Sequence, residues 1–332
     1  MRERIWQTEP TSYVRLLPEG IGVRPRGRSQ RLERVLTDFG CEHSFRQAAG
    51  RVLEHYGFEI NSSAVRESTL THARRAAQIL EKEYAQPYRA LPAEGAKLVV
   101  AEADGSMICT VAPAPRRGRR PREWKEIRLT AAQAVGRTET IYAATFGAVD
   151  EVGRRWGHCA RRAGRGLSTQ IHALGDGAEW IRLQTQQVFG ERGLFLCDYF
   201  HVSEYLGAAA ETCRPKAPQR WRKTQQQRLK RGALAKVIDA LAEHLEPPGV
   251  PEELAPVRQA HRYLRNRTDC LDYPRALRLG LPIGSGMIES GHRHILQARL
   301  KKAGAAWLVD TADQIANLRV LRANGQWLTL WN

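Results

Sequence analysis

The chain has 332 residues, with 52 Lys+Arg against 35 Asp+Glu, a formal net charge of +17 and 42% hydrophobic residues. That is enough apolar material for one large or two or three small domains, and the positive balance suits a polyanionic partner. No window approaches the length of a transmembrane helix, and the six scattered cysteines, with no Cys-x-x-Cys pair, argue against a zinc ribbon or a disulfide framework.

Residues 1–40 are rich in Arg, Pro and Gly and read as an irregular basic arm. A helical region spans 41–90. Phe45, Ala48, Ala49, Val52, Leu53 and Tyr56 fall on one face of a helix that Gly57 ends. Ser62 or Ser63 caps a second helix to about residue 83, expected to expose Arg66, Thr69, His72 and Arg74. Two helices joined by a short glycine turn are the parts of a helix-turn-helix, whose second helix enters a DNA major groove. They are equally the parts of a plain helical hairpin.

Pro87 and Pro92 mark a boundary. Beyond it, short apolar runs at 98–103, 107–111 and 127–134 read as strands, the first two as a hairpin about Asp104-Gly105. A helix at 150–163, a strand at 169–174, a helix at 179–188 and a short strand at 194–197 follow. This order, over 95–205, is that of a ribonuclease H-like α/β domain: a mixed five-stranded sheet with flanking helices. Residues 206–279 are helical, basic and interrupted by Pro247-Pro248 and Pro251, and read as an inserted helical subdomain. Residues 280–332 return as the C-terminal helices of the core, entered through Gly284-Ser285-Gly286.

Three acids stand out in this frame. Asp104 follows the run Leu98-Val99-Val100-Ala101, and Asp176 follows Ile171-His172-Ala173-Leu174. Glu289 opens a helical pattern just past the Gly-Ser-Gly turn. In a ribonuclease H-like topology the first and fourth strands are neighbours, so the two aspartates converge. Two strand-end carboxylates and one on a helix can hold a pair of Mg²⁺ (or Mn²⁺) ions, which prefer oxygen ligands and clamp both oxygens of a phosphodiester displacement. The positive charge is clustered. Arg116, Arg117, Arg119, Arg120 and Arg122 crowd one stretch, and eight basic residues with no acid run from Arg214 to Arg231. DNA contact is expected from the first cluster, from Arg220, Arg222 and Lys223 in the second, and from Arg66 and Arg74; arginine's planar fork suits phosphate. A solvated loop is the plain alternative for residues 116–122.

Asp104-Gly105, Gly175-Asp176-Gly177-Ala178-Glu179-Trp180-Ile181, Asp198-Tyr199-Phe200-His201 and Gly284-Ser285-Gly286-Met287-Ile288-Glu289 together resemble a bacterial insertion-sequence transposase. The tail with Arg299-Leu300-Lys301-Lys302, Trp307, Trp327 and Trp331 adds to the likeness. The nearest match is the Kra group of DDE transposases, distantly Mutator-like, over roughly residues 95–332. The resemblance implies Asp104, Asp176 and Glu289 as catalytic metal ligands, with Asp198 and His201 matching the Asp-x-x-His element of Mutator-like enzymes. Asp198 is the alternative second ligand. It further implies two metal ions, double-stranded DNA as transposon end and target, a homodimer or higher oligomer on DNA, and a cytoplasmic, nucleoid-associated enzyme. The Met1-Arg2-Glu3-Arg4 start, without an apolar signal region, agrees. A catalytically inactive transposase-derived DNA-binding protein and a structure-specific nuclease of the same fold are the rival expectations. Trp180 reads as core or as a stacking platform. His292 and His294 read as helix residues facing either the site or solvent.

Overall fold

The computed structural model describes residues 27–113 and 121–332, together with the backbone of 6–9 and 12–14. Arg116, Arg117, Arg119 and Arg120 lie outside the described residues. Two compact units result: Met1–Ala85 with Ile108–Lys125 and His294–Asn332, and Gln86–Met107 with Glu126–Arg293.

In the first unit, β1 (Trp6–Glu9) and β2 (Ser12–Val14) pair antiparallel. Part of the stretch expected to be an irregular arm is helical: α1 covers Gln30–Glu42, opened by the Ser29 side chain accepting from the Leu32 amide. Helix α2 (Phe45–Tyr56) has a reciprocal capping box between Ser44 and Gln47 and ends on left-handed Gly57, as its sequence signals require. Helix α3 (Ser62–Tyr84) starts from Asn61, so neither Ser62 nor Ser63 is the cap. Leu36, Ala48, Val52 and Val65 form the apolar centre of the three helices. Arg66 and Arg74 of α3 are exposed as expected, but Thr69 and His72 are buried. The Thr69 hydroxyl bonds toward α1 at the Leu36 carbonyl, and His72 pairs with Glu33 at 3.1 Å. A 23-residue helix packed along one side must bury some polar positions, and it does so where partners exist.

A mixed five-stranded sheet falls mainly in the second unit, with residues 108–111 of its first strand and 122–125 of its second counted in the first unit. The strands are β3 (Leu98–Val111), β4 (Arg122–Ala134), β5 (Ile141–Thr145), β6 (Gln170–Gly175) and β7 (Gly193–Cys197), in the order β5-β4-β3-β6-β7. Pairs β3–β6 and β6–β7 are parallel and β4–β5 is antiparallel. The expected hairpin at Asp104-Gly105 is absent: β3 runs through as one 14-residue strand. Alternating burial continues past it at Ser106, Ile108 and Thr110, and ladder pairing overrides the local turn preference of Asp-Gly.

One sheet face is covered by α4 (Val149–Arg162) and α5 (Glu179–Phe189). Here Trp156 is fully buried, donates its indole N–H to the Ala131 carbonyl at 3.3 Å, and meets Phe189 edge-on at 5.1 Å. The other core joins Val100, Leu174 and Leu196 of the sheet to the helices α6 (Tyr199–Cys213), α7 (Pro218–Lys230), α8 (Leu234–Ala242), α9 (Pro256–Arg265) and α10 (Tyr273–Arg278). The stretch 206–279 is helical as read, and it shares one core with the parallel strands. Helix α11 (Gly286–Gly291) continues into a π-helical turn, His292–Gln297. All six cysteines are free and five are buried. Among the described residues no helix is long and apolar enough to cross a membrane.

Trp156→Ala should destabilise the second unit by about 3–5 kcal/mol, the range for emptying a large aromatic site. A urea midpoint that moved by the equivalent of less than about 1 kcal/mol would contradict this description of the core.

Candidate functional site

Three carboxylates line up because three strands are parallel and in register. β3 and β6 pair from Leu98↔Gln170 to Glu102↔Leu174, and β6 and β7 from Ile171↔Gly193 to Gly175↔Cys197. Carried one or two residues further, the same registers set Asp104 beside Asp176 and Asp176 beside Asp198. Asp176 and Asp198 stand where β6 and β7 end, at the side of a parallel sheet where ligands are commonly bound, whereas Asp104, expected at a strand end, lies within β3, which continues to Val111.

Side chains alternate along a strand, so Glu102 and Asp104 share one face of β3. Helix α11 docks on that face at two points. The Ile288 amide donates to Glu102 Oε2 at 2.7 Å, and His292, one turn later, brings Nε2 to 3.3 Å from Asp104 Oδ2. Amides in the first turn of a helix have no partner within it, and a carboxylate there also meets the favourable end of the dipole. Glu289 follows Ile288 and is exposed. His292 is buried, and neither ring nitrogen has a well-aligned hydrogen bond. It opens the π-helical turn, a distortion frequent at functional sites.

The loop leading into α11 is pinned from several sides. His172 of β6, fully buried, donates to the Pro282 carbonyl at 2.8 Å, and burial holds its pKa below the usual value. The Tyr199 amide donates to the Ile283 carbonyl at 2.8 Å. Gly284 packs against the Phe200 ring, where an added Cβ would come within 2.5 Å of ring carbons. Asp198 then makes the central tie. Its Oδ1 caps α6 by accepting the Phe200 and His201 amides at 2.6 and 3.1 Å. Its Oδ2 accepts the Ser285 amide at 2.7 Å and the Ser285 hydroxyl. Both oxygens of Asp198 are thus committed to holding the Gly-Ser-Gly turn to α6.

Asp176 is only half-buried. Its Oδ1 accepts the Ala178 amide at 2.8 Å, and its main-chain carbonyl accepts the Tyr263 hydroxyl at 2.6 Å. Arg267 donates to the Gly177 carbonyl at 2.8 Å, and Gly177 itself has φ +84°, a left-handed conformation costly for other residues. Tyr263 of α9 and Arg267 just past its end therefore clamp the turn that presents Asp176. His201 contributes its amide, not its ring, to Asp198; the ring meets Tyr205 and Tyr263 edge-on at 5.5 and 6.0 Å. Trp180 is half-buried under the Arg128 guanidinium, 5.4 Å from its ring centre. Arg220, Arg222 and Lys223 lie together on α7, and Arg66 and Arg74 belong to the other unit.

Glu102 was not among the residues singled out by sequence. It is 1% exposed, and burial pushes its carboxyl up to about 8. The Ile288 amide opposes that rise, while nearby Asp198 and Glu289 add to it. The available signal was an acid inside an otherwise apolar strand run, Val99-Val100-Ala101-Glu102-Ala103.

Among the described residues no group of three or more His, Cys, Asp or Glu side chains is gathered at metal-ligating spacing. The carboxylates are oxygen donors of the kind a hard divalent cation takes, and Asp176 Oδ2 and the Glu289 carboxylate have no hydrogen-bond partner among the described residues.

The profile of the uncharacterised protein family UPF0236 matches residues 165–330, half of the chain, and the chain belongs to that family. The match takes in Asp176, Asp198, Ser285, Glu289 and His292. No curated protein matches the chain.

Because Glu102 moves up from 4.5 to about 8, the folded protein holds a proton that the unfolded chain releases. Stability of metal-free protein should therefore fall as pH rises from about 5 to 8, by at most about 1.4 kcal/mol per pH unit from this group. Glu102→Gln should flatten that slope in denaturant titrations run with a chelator. An unchanged slope in the variant would show that Glu102 does not titrate as described.

Proposed function

We propose that the chain is a DDE-type DNA transposase with a ribonuclease H-like catalytic domain, acting on double-stranded DNA as a dimer or higher oligomer. The observation that carries this reading is the shared strand register of Asp104 and Asp176, together with a Glu289-bearing helix tied to the same strand through Glu102. The acids follow one another along the chain as Asp, Asp and Glu, as in the transposases its motifs resemble. The charge of +17, the exposed Arg220 and Lys223 and the half-buried Arg222 beside them suit a phosphate backbone.

Asp104, Asp176 and Glu289 would hold two Mg²⁺ or Mn²⁺ ions. Such ions supply a nucleophile at neutral pH and stabilise charge on the attacking and leaving oxygens. The chain's own part is positioning. Asp198, by fixing the Gly-Ser-Gly turn, sets where Glu289 stands. His292 faces the Asp104 oxygen and restricts its rotation. In the first reaction water attacks the phosphorus at the transposon end, and the 3′ oxygen leaves and takes up a proton. In the second, that 3′-hydroxyl loses its proton and attacks a target phosphorus, and the target strand's 3′ oxygen leaves and takes up a proton. Neither step needs a covalent protein intermediate.

The test is Mg²⁺-dependent cleavage and joining on DNA carrying the sequences that flank the gene. Asp104→Ala, Asp176→Ala and Glu289→Ala should each lower cleavage by about 100-fold or more while DNA affinity changes little. Wild-type cleavage in any one of them removes that residue from the set. Cleavage without joining would instead favour a nuclease, and DNA binding without cleavage a relic.

A further inference from the structure

A second feature of the sheet-bearing unit lies outside the carboxylate site. Between the end of α6 and the helices α7 and α8 there is a cavity of about 470 Å³. Arg214, Arg220, Arg228, Trp221, Glu243 and His244 line it. Its size falls within the range of small-molecule sites. Its chemistry is uncommon for a space left by imperfect packing, because it combines three guanidinium groups with the half-buried indole of Trp221.

The lining is partly built. Trp221 packs against the buried core from one side, which fixes the ring. Arg228 is held by the Gln225 side-chain oxygen at 3.1 Å and the Lys236 carbonyl at 3.2 Å, and Gln225 is 2% exposed. Arg214 and Arg220 are exposed and have no acidic partner among the described residues. The cavity also reaches the start of α7, where Ala217 offers no side-chain cap to the first-turn amides. Two unmatched guanidinium groups ask for an anion, and a fixed indole offers a flat apolar surface. Glu243 adds an acceptor for an amino group.

An unstacked nucleotide meets all three demands. Its phosphate pairs with Arg214 and Arg220, its base stacks on Trp221, and an exocyclic amine donates to Glu243. A paired base cannot enter, because both its faces are covered by neighbours in the duplex. We propose that this cavity binds one unpaired nucleotide of a DNA strand, an occupant whose identity as DNA rests on the function proposed above. Bases carrying an exocyclic amine (adenine, cytosine and guanine) are preferred over thymine.

The experiment uses the full chain and fluorescently labelled duplexes that differ only in one bulged nucleotide, titrated by anisotropy at fixed salt with a chelator present. The bulged adenine duplex should bind at least about tenfold more tightly than the paired one, in line with the value of stacking one base on an aromatic ring. Trp221→Ala should erase that advantage while changing paired-duplex affinity less than about twofold, and Trp221→Phe should keep most of it. The joint Arg214→Ala and Arg220→Ala variant should also erase it, and a bulged thymine should show less of it. Equal affinity for bulged and paired DNA overturns the proposal, as does an advantage that survives Trp221→Ala. Loss in both Trp221→Ala and Trp221→Phe points to a damaged fold and also overturns it. A protein that cleaves DNA but ignores the bulge refutes only this site, whereas one that binds no DNA refutes the function as well.

Discussion

The pairing of three parallel strands in fixed register is the constraint on which the site depends. Register in a parallel ladder is set along the whole strand, so a one-residue slip would turn every side chain to the opposite face. Here the runs Val99-Val100-Ala101 and Ile171-His172-Ala173-Leu174 are buried on both faces, so a slip would force each side chain into a packing site shaped for another and would part His172 from the Pro282 carbonyl. Their anchoring transmits to the strand ends. Asp104, Asp176 and Asp198 continue in-register positions of β3, β6 and β7 because residues several positions earlier are buried. Residues far from the chemistry therefore determine its geometry, and any substitution that loosens Val100 or Leu174 would blur the row before it touched a carboxylate.

The second dependence is the way the remaining acid is brought to that row. Glu289 comes from a part of the chain separated from the last strand, β7, by the helical stretch 206–279 and a loop. A loop of that kind is normally mobile. In this protein it is tied by His172, by the Tyr199 amide, by both oxygens of Asp198, and by Glu102 at the first turn of α11. Each tie uses a main-chain group of the loop or helix, or the Ser285 hydroxyl. Their geometry therefore depends little on the bulk of neighbouring side chains. Asp198 is where a structural and a functional account meet. With four donors on two oxygens it behaves as a cross-link, and that use leaves the opposing strand end at Asp176 as the less encumbered carboxylate.

Much of the sheet and most helix boundaries were legible in the sequence, because burial with period two or 3.6 and strong caps such as Ser44 and Gly57 are local signals. What failed was also local in origin. Asp104-Gly105 has the chemistry of a turn, yet ladder pairing on both sides kept it extended. Strand β5, Ile141–Thr145, was missed; it is short and follows closely on β4. Thr69 and His72 were expected outside because they are polar, but their partners Leu36 and Glu33 come from α1, whose existence the Arg-rich composition of 1–40 concealed. Within the site, the order Asp104, Asp176, Glu289 could be read from short motifs. Glu102 and His292 could not be assigned, since their significance lies in a contact made across nearly two hundred residues.

The crowding of acids sharpens what the site has left to do. Glu102, Asp104, Asp176, Asp198 and Glu289 all approach one end of the sheet, and like charges in a partly buried space oppose one another. The fold relieves the repulsion differently at each. Glu102 is buried enough to keep a proton near neutral pH. Asp198 is matched by two amides of α6 and by the amide and hydroxyl of Ser285. Asp104 has the buried His292 ring beside one oxygen and the Gly105 amide on the other. Asp176 Oδ2 and Glu289 receive no such compensation from within the described chain. Charge that a fold leaves unmatched in a crevice at strand ends, while matching its neighbours so thoroughly, is charge available to something that arrives from outside. Oxygen donors of this kind suit a hard divalent cation, and under the function proposed above such an ion would also offset the repulsion between these acids and a phosphodiester.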